Sequence, residues 1–356
     1  MTKSILRVMV SGPGLIGKVH ARLVQARADC KVACIVSRSS EKSAAFAAEL
    51  GVPCFTSIEE ALEAVHVDAA IISSPNAYHF DQAMACIQKN IPTLIEKPIT
   101  PSIQDAKAIV DYAGRAGVAV LVGDHRMYNP LLEQARRFID SAMFGRLVAM
   151  QGAALFYKPA HYFREGPWRA HAGGGPILIN LIHEVGVMRY LCGSIEGVFA
   201  VESRNVRRFD VEDTVALTFR FSSGALGSFV LSDTAASSKS WEMTTGENPA
   251  YPHFRAENCY HFAGTNGSLD FPTLRVRYYP EGTDPSWWKP FEIQKLNCDR
   301  AKPLEQQIAH FVEVARGNMQ PRVSAQDGYS NLKVLEGIRL SIETGRYVQV
   351  DVPDYC

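Results

Sequence analysis

The stretch Gly12-Pro13-Gly14-Leu15-Ile16-Gly17 decides the fold of this 356-residue chain. It has the spacing G-x-G-x-x-G, it follows an apolar run that ends at Val10, and an amphipathic helical pattern begins at Leu15. In such a loop the first glycine permits a tight turn, the second lets the backbone approach a phosphate, and the third permits close packing of helix on strand. The stretch therefore predicts a strand, a phosphate-binding turn and a helix whose N-terminus faces the anion.

Outward from this turn, the first 125 residues alternate short apolar runs with helical patterns. Strands are predicted over Ile5–Val10, Lys31–Val36, Ala69–Ser73, Thr93–Ile95 and Val118–Val122. Helices are predicted over Leu15–Arg27, Glu41–Leu50, Ile58–Ala64, His79–Asn90 and Pro101–Ala116. Because the runs are apolar at both alternating positions, each strand is expected to be buried on both faces. Residues 1–125 are therefore predicted to form a doubly wound parallel sheet of the Rossmann type.

Beyond residue 125 the strands become polar at alternate positions, which predicts a sheet with one buried face. Strands are predicted over Arg146–Phe156, Gly197–Ser203, Val211–Phe221, Ala225–Leu231 and Tyr260–Gly264. Helices are predicted from Pro130 to near Gly145, and over Pro176–Leu191, Leu304–Arg316 and Tyr329–Thr344. Residues 126–356 are thus predicted to form an α/β domain with an open, mostly antiparallel sheet, whose free face a partner subunit would cover.

Composition and charge exclude several classes of function. Lys and Arg (37) balance Asp and Glu (37), so no overall field attracts nucleic acid or an acidic membrane. No apolar run approaches the roughly 20 residues of a membrane-spanning helix, and Met1–Val10 lacks the pattern of a signal peptide. The eight cysteines include no CxxC pair and no clustered Cys/His spacing for zinc. We therefore expect a cytoplasmic protein with reduced thiols, no metal site, and neither nucleic acid nor membrane as partner.

The end of the second predicted strand bears on which dinucleotide the glycine loop would hold. An NAD site usually has Asp or Glu about 20 residues beyond the loop, bonded to the ribose 2′-hydroxyl, whereas this chain has Ser37-Arg38-Ser39 there. A carboxylate repels a 2′-phosphate, while two hydroxyls and a guanidinium can hold one. The segment predicts NADP as the preferred cofactor. The alternative is that Arg38 is an exposed loop residue and that NAD binds through other contacts.

Glu96-Lys97-Pro98 follows the predicted strand Thr93–Ile95 at its carboxyl end, where open α/β sheets bind ligands. A lysine held there by a carboxylate and a proline-stiffened turn can bind a substrate oxygen and share its proton. The alternative for this lysine is an ordinary solvated charge.

The stretch from Gly173 to His183 contains three consecutive glycines that lead into a helical pattern. Asn180 and His183 lie three residues apart, and therefore on one face of that helix. An amide and an imidazole that emerge together from an apolar helix suit a polar substrate. Taken alone, His183 is equally consistent with a hydrogen-bonded core histidine.

The chain resembles the glucose–fructose oxidoreductase, inositol dehydrogenase and rhizopine-catabolism (Gfo/Idh/MocA) family essentially from end to end. The segments that carry the resemblance are the glycine loop, Ser74-Pro75-Asn76 with His79, Glu96-Lys97-Pro98, Gly123-Asp124-His125-Arg126 with Asn129-Pro130, Trp168-Arg169, the triple-glycine helix ending at His183, Gly264-Thr265-Asn266-Gly267-Ser268, and Asp327-Gly328.

The resemblance implies a homodimer or homotetramer and hydride exchange between the nicotinamide C4 and a secondary alcohol or its carbonyl on a small polar substrate. Lys97 would bind and polarise the reacting oxygen, and His183 would act as acid/base or as its positioning partner. The implied cofactor contacts are Gly12, Gly14, Leu15, Ile16, Gly17, Ser37, Arg38, Ser39, Ser74, Pro75, Asn76, His79, Glu96 and Lys97. The candidate substrate contacts are Arg126, Tyr162, Trp168, Arg169, Asn180 and His183, with Lys158 and Arg164 as further pocket candidates.

Two positions depart from the family pattern. Many members carry an aspartate four residues before the histidine, where this chain has Ile179, and the position three after it, often acidic, is Gly186. The proton-transfer role of His183 therefore has less support than the role of Lys97.

The substrate class and two other classes of function stay open. A sugar, a cyclitol or a carboxylated diol fits the pocket candidates, and their positive charges favour the carboxylated forms. A redox-assisted lyase, hydrolase or isomerase with a recycled bound cofactor is one alternative, and a non-catalytic dinucleotide-binding sensor is the other. Retention of Glu96-Lys97-Pro98 and His183 argues against the sensor.

Overall fold

The computed structural model describes residues 4–38 and 41–352 and divides into two compact units. Within these ranges, the first unit comprises the residues up to Tyr128 together with Lys302–Tyr329, and the second comprises Asn129–Ala301 and the residues from Ser330 to Val352. The predicted boundary after residue 125 lies close to the first observed division. The prediction of two consecutive segments missed the return of Lys302–Tyr329 to the first unit, because a return over such a sequence distance leaves no local pattern.

The first unit contains a parallel sheet with helices between its strands. Its strands in the described part of the chain are β1 (Leu6–Ser11), β2 (Cys30–Val36), β3 (Cys54–Phe55), β4 (Ala69–Ile72), β5 (Thr93–Glu96) and β6 (Val120–Gly123). The helices between them are α1 (Leu15–Gln25), α2 (Glu41–Glu49), α3 (Ile58–Ala64), α4 (His79–Ile87) and α5 (Ile103–Ala116). All strand pairs are parallel in the order β3-β2-β1-β4-β5-β6, which is the doubly wound Rossmann order and confirms the predicted fold.

The edge of this sheet at β6 is covered by the returning segment. The backbone N–H of Val122 donates to Val323 O at 2.8 Å, and Gly328 leaves no room for a side chain because a Cβ there would lie 2.8 Å from Val122 Cγ2. Asp327 is fully buried, and its carboxylate accepts hydrogen bonds from the backbone and side chain of Ser324. Asp327-Gly328 therefore packs and caps this segment, which protects a strand edge that would otherwise be open.

The second unit is built on a nine-stranded sheet. Its strands are β7 (Leu147–Leu155), β8 (Ile195–Ser203), β9 (Thr214–Phe221), β10 (Leu226–Ser232), β11 (Tyr260–Gly264), β12 (Gly267–Phe271), β13 (Arg275–Tyr278), β14 (Glu292–Lys295) and β15 (Val348–Gln349). The remaining α-helices in the described chain are α6 (Pro130–Ile139), α7 (Ala160–Glu165), α8 (Ile182–Cys192), α9 (Trp241–Thr244), α10 (Pro303–Ala315) and α11 (Ala325–Thr344). The order is β14-β13-β12-β11-β7-β10-β9-β8-β15, and all neighbours are antiparallel except β7 and β10. This confirms the predicted open, mostly antiparallel sheet.

One face of the nine-stranded sheet is buried and the other is open. Along β10 the side chains of Phe229 and Leu231 are buried, whereas Leu226 and Val230 are 60% and 40% exposed. The alternation follows from the two-residue period of a strand. The open face mixes polar side chains, such as Thr218, Arg220 and Ser228, with the apolar Leu226 and Val230. Among the described residues, no helix is long and apolar enough to cross a membrane.

Truncation of Phe229 on the buried face and of Val230 on the open face should lower the free energy of unfolding by different amounts. We expect Phe229→Ala to lower the free energy of unfolding by about 3 to 5 kcal/mol, because it leaves a cavity in the core. Val230→Ala should lower it by less than about 1 kcal/mol. Urea denaturation at low protein concentration, followed by circular dichroism, measures both. Equal losses for the two variants would contradict the assignment of β10 faces.

Candidate active site

The three glycines of the loop after β1 have different surroundings. A Cβ atom on Gly12 would lie 2.3 Å from the backbone N of Ser74, and one on Gly17 would lie 2.1 Å from Gly12 O. Gly12 also has a φ of +78°, in the region that favours glycine. A Cβ on Gly14, by contrast, would have no atom within 4 Å. The first and third glycines are therefore required by packing, and the second borders open space.

The start of α1 is suited to an anion. Gly14 precedes the helix without a side-chain cap, and the first turn contains no acidic residue. The first N–H groups of a helix lack partners within it and carry the positive end of its dipole, so they bind phosphate readily. Leu15 is 92% exposed and Ile16 is half-buried. The residues at this turn therefore fit the pyrophosphate of a dinucleotide.

The end of β2 presents an exposed arginine. The Arg38 guanidinium lies over the ring of Tyr78, 4.0 Å from its centroid. A guanidinium that stacks through its face keeps its in-plane N–H groups for other partners. Ser37 is half-buried and its hydroxyl donates to Ser43 Oγ at 3.0 Å. The third predicted residue of this segment, Ser39, lies outside the described residues.

The segment after β4 is fixed by a glutamine. The hydroxyl of Ser74 donates to Gln82 Oε1 at 2.8 Å. Pro75 is exposed, and Asn76 begins the short 3₁₀ helix Asn76–Tyr78. The predicted cofactor contacts Pro75 and Asn76 are therefore presented on a turn that side-chain hydrogen bonds hold in place.

His79 joins this segment to the lysine turn. Its Nε2 lies 2.8 Å from Ser74 O and its Nδ1 lies 2.9 Å from Pro98 O, which follows a cis Lys97–Pro98 peptide bond. Burial lowers the pKa of His79, although the two carbonyl contacts act to raise it. The side chain is fully buried. His79 stays a predicted cofactor contact, and in the structure its ring holds two backbone segments together.

Glu96 is tied into the protein beside Lys97. The imidazole Nε2 of fully buried His20 donates to Glu96 Oε1 at 2.8 Å, and the backbone N–H of Lys97 donates to Glu96 Oε2 at 3.3 Å. A Cβ on Gly123 would lie 2.8 Å from Glu96 Oε1, so glycine makes room for this carboxylate. Burial raises the pKa of Glu96, but the bond from His20 and nearby positive groups outweigh it and lower the pKa. Glu96 is therefore a carboxylate that positions the lysine turn.

His20 was missed by the sequence analysis, although a signal for it exists. It stands three residues after Gly17, on the buried face of α1. A polar side chain on such a face requires a partner inside the protein. The acidic residue at the carboxyl end of a neighbouring strand, Glu96, was the available candidate.

In the second unit, the triple-glycine segment opens a helix of unusual form. The sequence predicted one helix over Pro176–Leu191, whereas the structure has a π-helical turn, Ile177–Leu181, before α8 begins. The carboxylate of Glu212 accepts the backbone N–H of Ile177 at 2.7 Å, and a Cβ on Gly175 would lie 2.4 Å from it. Burial raises the pKa of Glu212. The glycine thus admits a carboxylate that fixes the start of the helix, and π-turns are frequent at functional sites.

The predicted residues on this helix occupy its two parts. Asn180 is half-buried in the π-turn, and His183 is buried in the first turn of α8. The position where many family members have an aspartate is occupied by Ile179, which is half-buried and has no carboxylate. Glu184, the residue after His183, is buried and accepts a hydrogen bond from the hydroxyl of buried Tyr260. The sequence analysis did not identify Glu184.

Several predicted substrate contacts of the second unit lie together. The ammonium of Lys158 donates to Asn180 Oδ1 at 2.8 Å and lies 5.2 Å from the ring centroid of Tyr162. The Arg169 guanidinium stacks on the ring of Tyr162, 3.8 Å from the ring centroid. Its Nη1 donates to the backbone carbonyl of Tyr162 at 2.6 Å. Trp168 is 54% exposed. These contacts define the Lys158 cluster: Lys158, Tyr162, Arg169 and Asn180.

Two further residues were predicted to line the substrate pocket. Arg126 lies in a 3₁₀ helix, His125–Tyr128, of the first unit and is only 3% exposed. This corrects the prediction that it belongs to the second domain. Arg164 is exposed at the end of α7.

The acidic partner of the Lys158 cluster was not predicted. Asp233 is 2% exposed, and its carboxylate accepts a hydrogen bond from Arg207 Nε at 2.8 Å and lies 3.5 Å from Lys158 Nζ. Asp213 accepts the backbone N–H groups of Val206 and Arg207. The available signal was the placement of one aspartate just before β9 and another just after β10.

Comparison with known proteins agrees with this architecture. Residues 6–124 match the oxidoreductase family with an NAD-binding Rossmann fold, and residues 132–270 match the Gfo/Idh/MocA C-terminal domain. 1,5-Anhydro-D-fructose reductase from Ensifer adhaerens is 29% identical over 325 residues, which cover 90% of this chain and 91% of the reductase. scyllo-Inositol 2-dehydrogenase (NAD(+)) from Bacillus subtilis (strain 168) is 28% identical over 362 residues, 98% of this chain and 97% of the dehydrogenase.

A solved structure shares the fold across the whole chain. The WlbA dehydrogenase from Bordetella pertussis in complex with NADH and UDP-GlcNAcA has a TM-score of 0.79 at 21% sequence identity. The alignment covers 98% of this chain and 99% of the WlbA chain. Because the glycine loop, the sheet order and both sequence matches agree, the chain belongs to the Gfo/Idh/MocA family of oxidoreductases.

Proposed function

We propose that this protein is an NAD(P)-dependent dehydrogenase or reductase that interconverts a secondary alcohol and its carbonyl on a small polar substrate. The observation that carries the proposal is Lys97 at the carboxyl end of β5, on a turn positioned by Glu96, which is paired with the buried His20. The names of the two sequence relatives support a sugar or a cyclitol as the substrate class.

The cofactor would be held by residues of the first unit. The N–H groups at the start of α1 would bind the pyrophosphate in the space that Gly14 leaves open. The Ser74–Asn76 and Lys97–Pro98 segments, joined by His79, would line the nicotinamide. When bound, the nicotinamide supplies or accepts the hydride. Arg38 supports NADP over NAD, because its guanidinium can pair with a 2′-phosphate.

Lys97 would act on the oxygen of the reacting carbon. Its ammonium donates a hydrogen bond to that oxygen, which polarises a carbonyl in reduction and stabilises the developing alkoxide in oxidation. Glu96 accepts the backbone N–H of Lys97 and thereby limits the conformations of the turn. His183 would exchange the proton with solvent or position the group that does.

The protein would work as a homodimer or homotetramer in the cytoplasm. The open face of the nine-stranded sheet exposes the apolar side chains Val201, Leu226 and Val230, and such a face commonly meets a partner subunit. The cysteines at the described positions are free thiols, as expected in a reducing compartment. The partners would be further copies of the same chain, the small-molecule substrate and the cofactor.

Removal of the Lys97 ammonium should abolish catalysis without abolishing cofactor binding. We expect Lys97→Ala to lower kcat by about 10²- to 10⁴-fold, the usual contribution of a positioned proton donor. The dissociation constant for the reduced cofactor should change little. Nicotinamide absorbance during turnover and nicotinamide fluorescence during titration measure the two quantities. The exposed Lys89→Ala in the same unit is the control, and near wild-type turnover of Lys97→Ala would refute the assignment.

The cofactor preference can be tested at Arg38. We expect NADPH to bind more tightly than NADH, and Arg38→Gln to weaken NADPH binding by about 10- to 100-fold while NADH binding is unchanged. That range corresponds to the loss of one charged hydrogen bond. Arg115→Gln is a matched control, because Arg115 also lies over a tyrosine ring in the first unit. Tighter binding of NADH by the unmodified protein would contradict the NADP assignment and leave the enzyme class intact.

Gly14 offers a test of the cofactor site that is separate from stability. We expect Gly14→Val to weaken binding of both dinucleotides by at least about tenfold, because its side chain fills the space left for the pyrophosphate. Its melting temperature should stay close to that of the unmodified protein, since no atom lies near this position. Fluorescence titration and thermal unfolding measure these effects. Unchanged affinity for both dinucleotides would place the phosphate elsewhere.

A further inference from the structure

Next to the Lys158 cluster, two cationic side chains share one buried carboxylate, that of Asp233. Lys158 is 9% exposed, and Arg207 and Lys158 both face the carboxylate of Asp233. Arg207 holds this carboxylate at 2.8 Å, whereas the Lys158 ammonium lies 3.5 Å from it. The Asp233 carboxylate therefore interacts mainly with the Arg207 guanidinium and more weakly with the Lys158 ammonium.

The two guanidinium groups near Lys158 serve the protein itself. Arg207 Nη2 donates to the backbone carbonyl groups of Lys158 and Asp233, and its guanidinium also lies 4.4 Å from the ring centroid of Phe163. Arg169 stacks on Tyr162 and donates to its carbonyl. Both arginines thus hold backbone segments in place through hydrogen bonds to carbonyl groups, whereas the Lys158 ammonium donates to a side chain, Asn180 Oδ1.

Lys158 and Asn180 together offer unused hydrogen-bond donors. An ammonium has three N–H groups, and its polar side-chain contacts are Asn180 Oδ1 at 2.8 Å and Asp233 Oδ2 at 3.5 Å. Because Asn180 accepts through Oδ1, its Nδ2 group remains a donor. Within residues 4–38 and 41–352, the Asn180 side chain has Lys158 as its hydrogen-bond partner. A donor-rich site of this kind matches an acceptor-only group.

The charge of Lys158 favours an anion over a neutral hydroxyl. Burial lowers the pKa of Lys158, even though Asp233 and Glu242 act to raise it, and nearby Arg207 lowers it further. The ammonium is thus a largely desolvated charge, 9% exposed, and its Nζ lies 3.5 Å from Asp233 Oδ2. A carboxylate of the substrate would bring a negative charge next to this ammonium, whereas a hydroxyl would not.

We propose that Lys158 and Asn180 bind a carboxylate of the substrate, so that the protein acts on a hydroxy acid of the sugar or polyol type. Asn180 lies one helical turn before His183, which connects the carboxylate site with the residue assigned to proton exchange. The inference rests on the proposed function, because it concerns the substrate of the same reaction.

The test compares matched ligands that differ in a carboxylate. Protein saturated with NADPH is titrated calorimetrically with D-glucuronate and D-glucose, with D-galacturonate and D-galactose, and with D-gluconate and D-glucitol. We expect the acid to bind at least about tenfold more tightly than its neutral partner in at least one pair, since a charged hydrogen bond contributes roughly 1.5 to 3 kcal/mol. Lys158→Met should remove this preference, and Lys158→Arg should retain part of it.

Two further variants control the measurement. Lys239→Met removes an exposed lysine of the same unit and should leave the preference unchanged. Asn180→Ala removes the second donor, should reduce the preference, and serves as the test if Lys158→Met does not fold. The proposal is overturned if no acid binds better than its neutral partner, or if Lys158→Met or Asn180→Ala retains the full preference. Failure of the unmodified protein to bind either dinucleotide would instead overturn the proposed function.

Discussion

A carboxylate that is removed from water must find its partners inside the protein, and this constraint governs both units. Glu96 is paired with a buried histidine, Glu212 receives the first N–H of a π-turn, and Asp233 receives a guanidinium. Asp233 is the most deeply buried of the three, and loss of its guanidinium partner would leave an uncompensated buried charge, which costs about 3 to 5 kcal/mol. Each carboxylate therefore fixes the segment next to it. The side chains carried by or bound to those segments are Lys97, Asn180 and Lys158.

The first unit was largely predictable because its local patterns agree with its fold. A glycine loop between a buried strand and an amphipathic helix has few structural solutions, and the strands around it are apolar on both faces. The exception is β3, which has two residues and therefore no periodicity to detect. In the second unit, β12 to β15 were missed: β15 likewise has two residues, and β14 has no apolar pattern to detect because every residue of it is exposed.

The candidate site was predictable in its positions and less so in its contacts. Motif spacing placed Lys97 at a strand end, as the structure has it, and Asn180 and His183 on one helix, which the structure divides into a π-turn and α8. It could not distinguish a side chain that meets a ligand from one that bonds two carbonyl groups, which is the case of His79. Nor could it identify His20, because its partner is 76 residues away in sequence. Such pairings depend on tertiary structure.

The return of Lys302–Tyr329 to the first unit has a consequence for synthesis on the ribosome. The strand edge at β6 obtains its cover from Val323 and Ser324, which are translated some 200 residues after β6 itself. At about 5 to 20 residues per second, the nascent sheet would wait roughly 10 to 40 seconds for its last segment. During that interval an unprotected edge is exposed to the crowded cell. The unit that comes first in the sequence is thus among the last to be completed.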